Sequence, residues 1–175
     1  MKKNIVINLI ITLIICAMGY IIVTHQSIYN KYAIIGIGIS LLLFILGILT
    51  NINKISIIGY ILAIITTVLI RHETDNLISE ELYIFEWIKL IFKNEVVFIN
   101  VIGNIILYMP LYLLIEVNKY KEIILVLIII ILEILQYILR LGVFDLIDII
   151  LNILGIIIVS IICEVLKWMK IKKVI

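Results

Sequence analysis

Residues 133–152 read EILQYILRLGVFDLIDIILN, an apolar run with two polar trios set into it. Glu133, Gln136 and Arg140 recur at i, i+3, i+7, and Asp145, Asp148 and Asn152 repeat that spacing. On a helix each trio falls on one narrow face. The spacing predicts two helices joined by a short turn, carrying polar stripes that can face one another. An ionisable side chain within a membrane segment is costly, and marks a functional site by default.

The surrounding composition sets the solvent. The chain has 175 residues, 65% of them hydrophobic, with one proline, and its mean hydropathy is +1.34. No soluble core of this size needs so much apolar surface, so the expectation is an integral membrane protein. A net charge of +2, with no basic patch, gives no footing for nucleic acid. Cys16 and Cys163 lie far apart within apolar runs and read as passive packing residues, neither a disulfide nor a metal site. Lys2 and Lys3 precede the first apolar run, but no A-x-A site follows, and Ile15 before Cys16 spoils a lipoprotein cleavage box. That run is read as a retained transmembrane helix.

Taken in order, the spans are 4–23, 33–49, 55–70, 96–117, about 123–139 and about 146–166. The expected fold is all-α, a polytopic transmembrane helix bundle of about six spans. Residues 1–70 make the N-terminal helices, 71–95 an extracellular loop and 96–175 the C-terminal core with its tail. The second half of the loop, LYIFEWIKLIF (82–92), is too polar to span and too apolar to float free. It suits the membrane interface, with Trp87 and Tyr83 at headgroup depth.

Basic residues orient the bundle. With six spans, Lys2, Lys3, Lys54, Lys119, Lys121 and four tail lysines share one side, which holds nine of the 14 basic residues. Both termini are therefore expected in the cytoplasm. Arg140 then sits at the outer end of the fifth helix, with Glu133 about 10 Å deeper at roughly 1.5 Å per residue. Asp145 and Asp148 fall at the outer end of the sixth, Asn152 a turn further in, and Asn100 and Asn104 share a face in the outer half of the fourth. All the strong polarity meets in the outer leaflet.

Charge counting sharpens this cluster. Glu133, Asp145 and Asp148 against Arg140 leave two negatives uncompensated if all ionise. Burial disfavours that, so a proton, a cation or a cationic ligand is expected there. Read structurally instead, Arg140 and Asp145 are solvated anchors, Glu133 bonds Gln136 or Asn104 as packing glue, and Asn100 is a plain interhelical hydrogen bonder. Ser40, Thr12, Thr66 and Thr67 can bond their own helix backbone and need no function. Gly36, Gly38, Gly103, Gly142 and Gly155 read as close-packing or turn sites. His25 and His72 read as surface residues, and no Gly-rich phosphate loop, C-x-x-C or serine with a credible base occurs. No cofactor is expected.

Two blocks resemble the VanZ-like family of small bacterial membrane proteins. NVIGNIILYMPLYLLI (100–115) resembles its asparagine-rich segment followed by aromatic-x-proline, and EILQYILRLGVFDLIDIILNILG (133–155) its most distinctive run. Tyr112 stands where relatives usually carry glycine, Tyr108 where phenylalanine is common, and Ser79 where the Asn76-Leu77-Ile78 element is usually continued by proline. The resemblance implies a multi-pass protein of the bacterial plasma membrane with a role in the cell envelope. The family's founding member is associated with resistance to the glycopeptide antibiotic teicoplanin. Implied partners, beyond the lipid bilayer, are a lipid-linked envelope precursor or an amphiphilic antibiotic.

Three functions remain open on this reading. One is a non-enzymatic envelope protein whose acidic outer cleft engages such a molecule. Another is a membrane enzyme on a lipid-linked substrate, with one carboxylate as general acid or base beside a second, ionised one. The last is a proton- or ion-coupled transporter titrating at Glu133; the expected lack of inner-half polarity argues against it.

Overall fold

The computed structural model describes residues 5–25, 27–73, 91–116, 120–142 and 144–172. The regular elements among the described residues are all helices, and Tyr29 pairs with Arg71 in an isolated antiparallel bridge. Among the described residues seven helices follow in order: α1 Ile5–Thr24, α2 Tyr32–Leu49, α3 Asn53–Leu69, α4 Glu95–Leu107, α5 Met109–Leu114, α6 Lys121–Ile138 and α7 Leu146–Lys172. They fall close to the six apolar runs, the fourth being split in two. The interfacial reading of 82–92 and the Asn76–Ile78 element lie outside the described residues, except Ile91 and Phe92.

Among the described residues, four segments are long and apolar enough to cross a membrane: α1, α2, the joined run Val97–Leu114 and Leu146–Met169 within α7. α3 has 17 residues, and α6 has 18 but carries Lys121, Glu122 and Glu133. The outward faces suit lipid rather than water. Leu13, Leu42, Ile131, Ile138 and Val165 are all half or more exposed or close to it, a surface that water would penalise heavily.

The chain divides into two compact units, the first formed by 1–78 with 134–144 and the second by 79–133 with 145–175. In the first unit, α1 buries Ile11, Ile15, Met18 and Ile22, a single stripe at helical spacing. α2 and α3 form a tight antiparallel hairpin. Asn51 turns it with φ 65°, a left-handed conformation that asparagine tolerates better than most residues.

Small residues let these two helices approach closely. A Cβ on Gly36 would meet Thr66 Oγ1 at 2.7 Å, one on Gly59 would meet the Phe44 nitrogen at 2.6 Å, and one on Gly47 would collide with the Ser56 backbone. This intimacy has a consequence for the hydroxyls. Thr12 and Thr67 bond the carbonyls of Asn8 and Ala63, each at 2.9 Å, as expected of helical threonines. Ser40, Ser56 and Thr66 instead have buried hydroxyl oxygens with no hydrogen-bond partner among the described residues. The expectation that Ser40 and Thr66 satisfy themselves on their own backbone is corrected: both lie in the glycine-mediated contact.

At the other end of the hairpin the connections tie together. Asn30 N–H donates to Ile70 O at 3.3 Å, His72 N–H donates to Ile28 O at 2.8 Å, and Arg71 Nε donates to Thr67 O at 3.0 Å. The Arg71 guanidinium also lies 5.5 Å from the centre of the Tyr29 ring.

In the second unit, Pro110 sets the break between α4 and α5. It has no N–H to continue the ladder and stands in the first turn of α5, where none is required. α4 and α7 approach closely, since a Cβ on Gly155 would collide with the Ile105 carbonyl oxygen. Val101, Leu111, Leu125, Ile129, Ile156 and Val159 form buried apolar ground around this contact.

Candidate functional site

The N-terminus of α7 collects three carboxylates within the second unit. Asp145 immediately precedes the helix, and its Oδ1 accepts the Ile147 N–H at 2.8 Å, the bond of an N-cap. The Asp145 N–H in turn donates to Glu133 Oε1 at 3.2 Å, bringing α6 to the same point. Asp148, in the first turn, accepts from Asn104 Nδ2 on α4 at 2.5 Å. Glu133 is 6% exposed and Asn152 only 4%. Three elements thus converge on one helix end.

Electrostatics favours this arrangement. The free N–H groups and dipole of a helix N-terminus stabilise nearby negative charge. The excess of carboxylates counted from the sequence is therefore offset in part by α7 itself and by the Asn104 amide. Asn152, one turn further along, has a buried Oδ1 with no hydrogen-bond partner among the described residues. Among the described residues no three His, Cys, Asp or Glu side chains converge as a metal-binding set.

The other expected site residues fall elsewhere. Gln136 is buried but belongs to the first unit, where its Nε2 lies 2.5 Å from a Cβ built on Gly142. Arg140, also in the first unit, is exposed and has left the helix, with φ 55°. Arg140 N–H donates to Tyr137 O at 3.1 Å and Leu141 N–H to Gln136 O at 2.9 Å. Those paired bonds make a Schellman cap that ends α6. The i+7 step from Glu133 to Arg140 therefore does not describe one helical face. Asn100 is exposed on α4.

A second polar cluster escaped the sequence reading. Tyr112 Oη lies 3.2 Å from Glu122 Oε1 and 3.1 Å from Ser160 Oγ, and the Ser160 hydroxyl donates to Glu122 Oε1 at 3.1 Å. Lys121 Nζ donates to Ile115 O at 2.9 Å and stands 3.8 Å from the Tyr112 ring centre. The available signal was weak. Glu122 reads as a loop charge, and Ser160 as a helical serine. Both cysteines are free thiols.

Apolar helices with hydrocarbon on their outward faces, and a second unit that holds the buried Glu133 beside the half-buried Asp145 and Asp148, define a helical membrane protein with a polar site. Its sequence matches the model of the VanZ/LLP1 family over residues 10–167, and the chain belongs to that family. No curated protein and no solved structure matches it.

Proposed function

We propose that this protein is a six-span component of the bacterial plasma membrane, with both termini cytoplasmic. Its carboxylate cluster, facing the outer leaflet, engages an amphiphilic or lipid-linked molecule of the cell envelope and lowers sensitivity to teicoplanin-type antibiotics. One observation carries this reading: Glu133, Asp145 and Asp148 gather with Asn104 at one helix terminus of the second unit. Such polarity is costly in a membrane and fits a site better than a scaffold. The lysine distribution supports the orientation.

The experiment is growth in teicoplanin and other envelope-active drugs, with the gene deleted, restored, or restored as Glu133→Ala or Asp148→Ala. The expected result is protection by the wild-type gene and its loss in both variants, with the proteins still accumulating in the membrane. Full protection by both variants at normal protein levels would sink the proposal.

A further inference from the structure

The helices around Glu133, Asp145 and Asp148 bring no basic side chain to that end of the second unit. The lysines of α4 to α7 are Lys121, Lys167, Lys170 and Lys172, and these helices hold no arginine. Lys121 opens α6 beside Glu122, whose carboxylate meets Tyr112 and Ser160. Glu133 lies eleven residues past Glu122 on the same helix, about 16 Å away at ~1.5 Å per residue. The three α7 lysines stand near its C-terminus, and Lys93 precedes α4, with Asn104 nine residues into that helix. Arg140, which balances one negative charge in the sequence count, is exposed and belongs to the first unit.

A second observation lies one turn into α7. Asn152 is 4% exposed, and its Oδ1 has no hydrogen-bond partner among the described residues. On either side of it along α7, Asp148 meets Asn104 and Gly155 meets Ile105, so this face of the helix looks at α4. Asn152 follows Asp148 at i+4, which sets their Cβ atoms about 5–6 Å apart. Helical side chains lean toward the N-terminus, so that of Asn152 leans toward the Asp148 carboxylate. A buried acceptor is costly until something positive reaches it. Beside surplus carboxylates, a cation does more than a water molecule, because it also offsets charge.

The donor atoms narrow the choice of ion. Glu133 Oε1 takes the Asp145 N–H and Asp145 Oδ1 takes the Ile147 N–H, so those oxygens serve the backbone. Among the described residues no three acidic, histidine or cysteine side chains converge, which argues against a transition metal or calcium. Asp148 and the neutral amide oxygen of Asn152 make an all-oxygen pair with a single negative charge. An ionised carboxylate accepts from several partners at once, so the bond from Asn104 leaves Asp148 able to hold a cation as well. The helix dipole opposes a cation only within the first turn, and Asn152 lies beyond it.

We propose that the second unit binds a monovalent alkali-metal ion between the Asp148 carboxylate and the Asn152 amide oxygen. The ion satisfies the buried acceptor, offsets one charge of the cluster and ties the first two turns of α7 together.

The test melts the purified full chain in one detergent at constant ionic strength, with choline chloride replaced stepwise by sodium, potassium or calcium chloride. A saturable rise in melting temperature is expected with sodium or potassium, as for any ligand that binds only the folded state. Its loss is expected in Asn152→Leu, which keeps the bulk and removes the acceptor, and in Asp148→Asn, which keeps a polar partner for Asn104. Circular dichroism checks that each variant folds; should Asn152→Leu fail, Asp148→Asn decides. Melting that follows neither alkali salt overturns the proposal, as does a rise with calcium alone or an undiminished alkali-ion rise in either folded variant. The inference rests on the same cluster as the antibiotic role, but the melts contain no drug, so the cation shift and drug protection stand or fall separately.

Discussion

Glu133 accepts the backbone N–H of Asp145 at 3.2 Å, so the carboxylate of one helix completes the cap of the next. In a capping box the acidic residue at the third helical position reaches back to the N-cap N–H. Here that position belongs to Asp148, which turns instead to Asn104 at 2.5 Å. Glu133 supplies the missing bond from α6. The division of labour binds three helices to one terminus and leaves none of these carboxylates without a hydrogen-bond donor.

The cap itself can be weighed. Asp145→Ala removes the acceptor of the Ile147 N–H, and the expected cost is about 1 kcal/mol of unfolding free energy. Asp145→Ser retains most of that stability, because a serine oxygen also caps. Thermal melts of the purified protein in one detergent check the pair. Equal melting temperatures for wild type and Asp145→Ala would remove the cap from the account.

Arg140 holds a backbone conformation that suits glycine better. Its φ of 55° is left-handed, and its side chain is exposed. Arg140→Gly is therefore expected to stabilise the chain by roughly 1 kcal/mol, the cost of placing a side chain in that region. Arg140→Ala keeps the strain and gives no such gain. Should Arg140→Gly melt higher yet lose antibiotic protection, the guanidinium serves function rather than fold.

This position also shows what sequence reading can and cannot reach. The helices were legible because each apolar run is closed by polar residues, and two residues that the period singled out, Glu133 and Asn152, are buried in the second unit. Spacing could not reveal that the backbone leaves the helix after Ile138, which takes Arg140 off the face that Glu133 occupies. Glycines were equally opaque. Gly38 and Gly103 face open space, whereas Gly47 and Gly59, not singled out, hold α2 against α3. Glu122 and Ser160 lie 38 residues apart, and only the packing of α5 between them makes a cluster.

Gly155 and Gly103 offer a matched comparison on facing helices. A Cβ at Gly155 runs into the Ile105 carbonyl oxygen, a backbone atom that cannot rotate away. Gly155→Ala should cost about 1–3 kcal/mol, as overpacking does. At Gly103 a Cβ meets nothing within 4 Å, so Gly103→Ala should gain roughly 0.5–1 kcal/mol from helix propensity. Opposite shifts in melting temperature are the expected outcome; shifts of the same sign would contradict the α4–α7 contact.

The Asn104–Asp148 bond can be separated from the chemistry of its carboxylate by exchange. Asn104→Asp sets two carboxylates against each other at hydrogen-bonding distance and should destabilise the protein sharply, since like charges in an apolar interior disfavour joint ionisation. Asp148→Asn removes the charge but keeps a polar pair. The double exchange, Asn104→Asp with Asp148→Asn, restores an amide donating to a carboxylate with the polarity reversed. Melting all four proteins yields a coupling energy, expected at about 0.5–3 kcal/mol for residues in direct contact. Recovery should be incomplete, because Asp148 also makes contacts beyond Asn104 and the exchange moves the charge from the first turn of α7 to α4. Strict additivity of the single effects would show that the bond contributes nothing. If the exchanged protein regains stability without antibiotic protection, the carboxylate must stand at 148, on α7, for the site to work.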